Sequence, residues 1–529
     1  MCGIVGYAGN IETACGKPLE VCLQGLERLE YRGYDSAGVA LTAPGMDKVV
    51  VRKRAGRLKN LVEDIERKPM PLATVGIGHT RWATNGEPSD VNAHPHTSMD
   101  GKVAIIHNGI IENASQLRLD LQAEGYRFAS ATDTEVAAKL LGKIVDKIIA
   151  DEGKPDLFKA VRRMARMLEG AFTILATDCR QPDIVVGARH DSPLVVGLGE
   201  GENFLGSDVA AFVAYTKRAM EVDQDQAVCV SADKVIVTDF DGNVVENPKT
   251  YTVDWDASAA EKGGWDSFMD KEIHEDPAAV QRTLLGRFDA NGGITLDEVR
   301  IDEHDFKAID KIIVVACGTA SYAGQVAKYA IEHWVRIPVE IELAHEFRYR
   351  DPILTPRTLV VAISQSGETM DTLMALRHAR EQGSKVLAIC NTQGASIPRE
   401  SDAVLYTHAG PEVAVASTKA FVAQITAAYL LGLYLAQVKG AMFRDEIHQV
   451  LDSLKDMPRK IQWVLDTQPK TIQAAAERMV NANSFLFLGR HVGYPVALEG
   501  ALKLKEIAYT FTEGFAAGEL KHGPIALVD

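Results

Sequence analysis

Three uninterrupted apolar runs constrain this chain more than any other feature: Ile312-Ile313-Val314-Val315-Ala316, Leu359-Val360-Val361-Ala362-Ile363 and Val386-Leu387-Ala388-Ile389-Cys390. A strand with one wet face alternates apolar and polar residues; these do not alternate, so both faces must be covered, as in a parallel sheet clothed by helices. Each run is followed by a loop and a helical pattern, which predicts a doubly wound α/β lobe over residues 305–445. A further apolar run at 485–488 leads into Gly489 and another helix, repeating the arrangement of 312–316 and Gly318 roughly 170 residues on. Residues 446–529 therefore read as a second lobe of the same kind. The chain stops directly after Ile525-Ala526-Leu527-Val528, which reads as the start of another strand, so this lobe is expected to be incomplete.

The first half has a different rhythm. Short β runs at 3–8, 48–52, 75–78, 103–107, 172–176, 184–187 and 235–238 mix with helices at 19–30 and 134–150, the former carrying Leu19, Leu23, Leu26 and Leu29 on one face. Such mixing predicts α+β sheets stacked between helical layers over residues 2–240. Residues 241–304 turn polar and irregular and read as the interdomain connection.

At 529 residues, two to four domains are expected. The net charge of −15, with scattered basic residues, argues against a nucleic-acid surface. Seven cysteines without CxxC spacing suit a reducing compartment and give neither a disulfide framework nor a zinc site, so the cytoplasm is the expected location. No signal peptide opens the chain. The uncharged stretch 420–438 is interrupted by Gln424, Thr426 and Gln437 and reads as a buried helix, so no membrane partner is expected.

Cys2 directly follows the initiator methionine, and removal of Met1 would place a thiol and an α-amine on one residue. The amine titrates near 8, so it can take the thiol proton and later return it to a leaving amine. Such a nucleophile acting on a carboxamide also needs donors for an oxyanion and charges for the ends of an amino-acid substrate. Arg81, in Gly78-His79-Thr80-Arg81-Trp82-Ala83-Thr84, offers a fork for a carboxylate. Asn108 and Gly109 end a strand and offer an oxyanion pair. Asp133 stands at a helix start, where its ordinary role is an N-cap. His94 and His96 have no common metal spacing and read as a loop held by hydrogen bonds; no metal is expected.

With Cys2-Gly3-Ile4-Val5-Gly6 and Tyr31-Arg32-Gly33-Tyr34-Asp35-Ser36-Ala37-Gly38, these motifs resemble the class II glutamine amidotransferase domain. That resemblance implies an N-terminal-nucleophile αββα sandwich over about residues 2–240. It further implies Cys2 as nucleophile, Asn108 and Gly109 as oxyanion hole, and Arg81, Thr84 and Asp133 around the glutamine. Asn85 departs from the family, which usually carries histidine there.

In the second half, Ser364-Gln365-Ser366-Gly367-Glu368-Thr369 lies between an apolar strand and a helix. It brings hydroxyls, backbone N–H groups and a helix N-terminus to the C-terminal edge of a parallel sheet, where phosphate binds. Without the lysine of GxxxxGK[ST], nucleoside triphosphates are not expected. Glu499, Lys503 and Glu506 share one helical face, and a carboxylate there suits proton transfer between adjacent carbons. These segments, with Ala416-Ser417-Thr418-Lys419 and Gly518-Glu519-Leu520-Lys521-His522, resemble the sugar isomerase domain.

Joined in this order, the two resemble the isomerising amidotransferases, which move the amide nitrogen of L-glutamine to fructose 6-phosphate, giving glucosamine 6-phosphate and glutamate without metal or other cofactor. The resemblance implies Thr319, Ser364, Gln365, Ser366 and Thr369 on the phosphate, Ser417 on the sugar, Lys503 and Glu506 in proton transfer, and Trp82 as gate for ammonia. It implies His522 in ring opening within a neighbouring subunit, hence a homodimer. Ala320 stands where that family usually has serine. Two alternatives stay open on the residues alone: a phosphoribosyl-transferring amidotransferase, disfavoured by the lack of an apolar strand ending in paired acidic residues, and a sugar-phosphate sensor. The chain's end predicts glutaminase activity with little amino-sugar synthesis.

Overall fold

The computed structural model describes residues 2–10, 17–30, 33, 35–82, 86–253, 262–288, 293–296 and 299–528. It divides into two compact units, residues 1–261 and 262–529.

The first unit stacks two antiparallel sheets between helices. The eight-stranded sheet runs Thr250–Thr252, Arg218–Glu221, Val195–Leu198, Glu202–Gly206, Gly3–Gly9, Val75–Arg81, Ser36–Thr42, Val50–Ala55. The six-stranded sheet runs Val235–Asp239, Gln226–Ser231, Gln181–His190, Phe172–Asp178, Val103–Gly109, His96–Thr97. Successive residues of a strand face opposite ways, and here both faces are covered, so the central strands are mostly apolar, and their polar residues, such as His79, Arg81, His107 and Asn108, are buried. Val5 and Tyr7 of Gly3–Gly9 pack with Val21, Cys22 and Leu26 of helix Lys17–Arg28. Ile4 and Ala8, on the opposite face, pack with Ile106, Leu175 and Val185 of the other sheet. That sheet turns Ile105, Ile174 and Val186 toward Val136, Leu141 and Val161 of helices Asp133–Glu152 and Leu157–Ala165. The result is the expected αββα sandwich.

The strands that the sequence does not announce are mostly short or mixed in character, Ser36–Thr42 excepted. Its residues stand out in the sequence as part of a motif, yet they form a strand buried along its whole length. Within 241–304 lie the edge strand Thr250–Thr252 and helices Phe268–His274 and Asp276–Leu284, the latter contributing Val280 and Leu284 to the core of the second unit. The segment is thus partly built into both units.

The second unit contains a five-stranded parallel sheet in the order Val339–Leu343, Lys311–Ala316, Thr358–Ser364, Lys385–Cys390, Ala403–Tyr406. Helices Gly318–Val335 and Lys419–Lys439 cover one face and Met370–Glu381 the other. Lys419–Lys439 has the length and apolarity of a membrane span, but Ala423, Ala427, Leu430, Leu431, Leu433 and Leu435 are fully buried in the core. Gly432 allows its close approach to Gly318–Val335, since a Cβ there would lie 2.9 Å from Ile331 Cγ1. A second parallel pair, Ser484–Gly489 and Phe511–Ala516, is bridged by helix Gly493–Ala508. The strand expected at 525–528 is instead a 3₁₀ turn, Pro524–Leu527. Pro524 fixes φ at a helical value and suits the first position of a helical turn.

Candidate functional site

A candidate site lies in each of the two units. In the first, Cys2 immediately precedes the central strand, and pairing of Gly3 with Thr80 sets it against Arg81 and Trp82. The Trp82 N–H donates to Cys2 Sγ at 3.2 Å. Asn108 Nδ2 donates to the Cys2 carbonyl oxygen at 2.8 Å. His79 holds that amide: its Nε2 lies 3.1 Å from Asn108 Oδ1 and 3.0 Å from the His107 carbonyl oxygen. Both partners are acceptors, so Nε2 carries the proton, and Asn108 must turn its NH₂ to Cys2. Burial lowers the His79 pKa to about 3, keeping this donor neutral and fixed. The sequence contains His79 but assigns it no partner; only the fold supplies Asn108.

Gly109 has φ +118, and a Cβ there would sit 1.9 Å from the Ala171 carbonyl oxygen, so no other residue fits beside Asn108. Asp133 is not the N-cap of its helix. Thr132 is, its hydroxyl accepting from Glu135 N at 3.2 Å. Asp133, one position on, accepts from Ile111 N at 3.0 Å and Thr134 N at 2.9 Å, tying the helix start to the turn after Gly109. Arg81 is buried, with Nη2 donating to the Gly86 carbonyl at 3.1 Å. Trp82 is half exposed. Thr84 and Asn85 lie outside the described residues. Burial pushes the Cys2 thiol pKa up, while the nearby Trp82 N–H and the chain's amino terminus favour the thiolate. His94 and His96 are neutral by burial, and His96 Nε2 meets the Thr132 hydroxyl at 3.0 Å.

The second site lies where the parallel strand order reverses, between Lys311–Ala316 and Thr358–Ser364. Ser364 Oγ is 2.9 Å from Thr369 Oγ1 and accepts from Gly367 N at 3.0 Å; Ser366 Oγ accepts from Glu368 N at 3.2 Å. Gly367 takes φ +67, with Ala395 Cβ 2.5 Å from where a Cβ would stand. Thr369 caps helix Met370–Glu381 without a side-chain bond to its N–H groups. Gln365 contributes its carbonyl to Asn391 N at 3.2 Å.

Thr319, across the crevice, donates to Glu499 Oε1 at 3.0 Å and accepts from Lys503 Nζ at 3.0 Å. Lys503 also lies 2.8 Å from Glu506 Oε2. The helical face read from sequence thus meets the first turn of helix Gly318–Val335. Burial raises the Glu499 pKa, opposed by Lys503. His522, in the turn Ala517–His522, is exposed and has no hydrogen-bond or ion-pair partner among the described residues.

Ser417 is held by Glu412, a residue without any signal in the sequence. Glu412 Oε2 accepts from the Ser417 hydroxyl at 2.8 Å, and Oε1 from Thr418 N at 2.9 Å and Ala420 N at 3.1 Å. Glu272 accepts from Val413 N at 2.5 Å and Ala414 N at 3.1 Å. Burial raises Glu272 and Asp276 each to about 7, with Glu412 adding to the rise and Lys419 opposing it. Lys419, fully buried, reaches Glu275 Oε2 at 2.5 Å. Removing one partner of a buried ion cluster leaves the rest uncompensated. Lys419→Met is therefore expected to destabilise this unit by roughly 3–5 kcal/mol, measured by denaturant unfolding; a loss under about 1 kcal/mol would show the cluster to be solvent-screened.

A thiol residue beside an anchored amide in one unit, and in the other a hydroxyl-lined loop together with a lysine–carboxylate pair on Thr319, define an amidotransferase joined to a phosphosugar-binding domain. Residues 79–214 match the glutamine amidotransferase domain family, and 306–434 with 478–529 match the SIS domain family. Over 530 residues the chain is 63% identical to the glutamine–fructose-6-phosphate aminotransferase (isomerizing) of Corynebacterium efficiens, covering 100% of this chain and 84% of that one. Identity to the Streptomyces coelicolor protein of that name is 59% over 529 residues, with the same coverage. The C-terminal domain of the Francisella tularensis glucosamine–fructose-6-phosphate aminotransferase is 41% identical, with TM-score 0.49 over 51% of this chain and 75% of that one. The chain belongs to the glutamine–fructose-6-phosphate aminotransferase (isomerizing) family.

Proposed function

We propose that the chain carries out the reaction for which its family is named: the amide nitrogen of glutamine is moved to fructose 6-phosphate with ketose–aldose isomerisation, giving glucosamine 6-phosphate and glutamate. Cys2, freed of Met1, attacks the carboxamide, and its own amine takes and returns the proton. Asn108 and Gly109 stabilise the oxyanion, and Arg81 and Asp133, with Thr84, hold the ends of glutamine. Ammonia passes Trp82 shielded from water, because in neutral water it is mostly ammonium and no longer nucleophilic. Ser364, Gln365, Ser366, Thr369 and Thr319 hold the phosphate and Ser417 the sugar. Lys503 and Glu506 move the proton between adjacent carbons, and an exposed His522 suits ring opening in a second copy of the chain, as a homodimer.

The observation that carries this reading is the chain of contacts from His79 through Asn108 to Cys2, which aims an amide donor at the thiol-bearing residue. Its experiment follows glutamate and glucosamine 6-phosphate together, with and without fructose 6-phosphate; glutamate release independent of Asn108 would overturn it. For the sugar site, Ser366→Ala with Thr369→Ala is expected to weaken fructose 6-phosphate binding by about 2–4 kcal/mol, two charge-assisted hydrogen bonds. Unchanged affinity by calorimetry would refute that assignment.

A further inference from the structure

Beside the phosphate loop, three side chains of another kind converge. Cys317 comes directly after strand Lys311–Ala316, His345 lies in the turn Ala344–Phe347 after strand Val339–Leu343, and Asp371 lies in the first turn of the helix after Thr358–Ser364. The three strands are parallel neighbours, so their C-terminal ends bring these residues together at one edge of the sheet. One ligand atom from each residue lies within 4.8 Å of the other two, and Cys317 Sγ is 4.0 Å from His345 Nδ1. We propose that Cys317, His345 and Asp371 form a three-ligand site for a divalent ion of zinc type.

Sulfur and imidazole select a soft or borderline ion over magnesium or calcium. Tetrahedral ligands stand about 3.5 Å apart at zinc distances, so closure requires side-chain movements on the order of an ångström, within the freedom of an exposed histidine. The second ring nitrogen of His345 lies 3.8 Å from Glu346 Oε1, beyond hydrogen-bond reach, so this neighbouring carboxylate adds negative charge at the histidine side without fixing the ring. His345 is exposed while Cys317 and Asp371 are half-buried, so the ion enters from solvent at the histidine side. Burial and Asp371 raise the Cys317 thiol pKa, while the Thr372 hydroxyl and the backbone at Ala344 and His345 favour the thiolate. Binding forms a sulfur–metal bond and releases the thiol proton to water, leaving the fourth tetrahedral position for water or an anion. Cys317 is two positions from Thr319 and Asp371 two from Thr369, so the ion ties together the two loops that face the crevice.

The test is a titration of the chelator-treated full chain with Co²⁺, which reports a thiolate ligand by a near-ultraviolet charge-transfer band that Zn²⁺ displaces. The wild-type chain is expected to show the band and Cys317→Ser to lose it. His345→Ala is expected to weaken Co²⁺ binding by more than about tenfold, since even outer partners of metal ligands are worth ~10–100-fold. Glutamine hydrolysis by His345→Ala should be unchanged, which reports an intact chain. A wild type without the band, a band that survives in Cys317→Ser, or equal affinity in His345→Ala would overturn the site.

Discussion

Replacing Cys2 with alanine is expected to cut glutamine hydrolysis by on the order of 10⁴-fold or more, the scale of removing a nucleophile that acts as part of a unit. Among the described residues no second thiol joins the contacts of Asn108 and Trp82, so nothing takes over the attack. Cys2→Ser keeps the amine and a hydroxyl and should retain a trace of activity, because a hydroxyl is a weaker nucleophile and ionises far less readily than a thiol. The fold should be untouched, since strand pairing begins at Gly3. Fructose 6-phosphate binding by calorimetry is therefore the control. Intact mass provides an independent check on the amine: active protein should lack Met1, and a chain that keeps it should release no glutamate. Cys2→Ala within tenfold of wild type would remove the thiol from the mechanism.

The two units are expected to respond to pH in opposite directions. In the first, burial holds His79 at about 3 and His94 and His96 well below 6.5. Unfolded, these imidazoles titrate near 6.5, so below that pH the unfolded chain binds protons the folded one refuses. Stability falls as pH drops below 6.5, by about 1.4 kcal/mol per unit toward pH 3 for His79, with His94 and His96 acting in the same direction. Glu272 and Asp276 behave in the contrary sense, being raised by burial to about 7 from 4.5 and 3.8. There the folded state binds the proton first, so stability is present below the unfolded values and lost as pH rises to 7. Hydrogen exchange, corrected for its intrinsic pH dependence, should show Val103–Gly109 opening more easily by a few kcal/mol between pH 7 and 5. Lys419–Lys439 should open less easily over the same range. Parallel shifts in both elements would show that these groups do not govern local stability.

Legibility in the sequence tracks burial. Strands covered on both faces, such as Thr358–Ser364 and Lys385–Cys390, carry unbroken apolar runs and can be read directly. Edge strands cannot: Val339–Leu343 alternates glutamates with apolar residues, and Ala403–Tyr406 is four residues long. The spacing of Glu499, Lys503 and Glu506 is visible because a helix sets it locally. Their meeting with Thr319, the holding of Ser417 by Glu412 and of Asn108 by His79 depend on pairings between distant segments, which no local pattern encodes. The expected cap at Asp133 is one position late because Thr132 and Asp133 are both good caps, and the choice falls to the hydroxyl that reaches Glu135 N.

Gly3–Gly9 lies between Val75–Arg81 and Glu202–Gly206, with Gly3 opposite Thr80 and Val5 opposite Gly206. During synthesis the chain emerges from its N-terminus, so the first strand made must wait for one of its two neighbours until residue 206 has appeared. Loop closure over such spans is slow. The strand behind Cys2 thus stays half-paired until residue 206 follows, whereas the contacts of Cys2 itself, with Trp82 and Asn108, need only the first 108 residues.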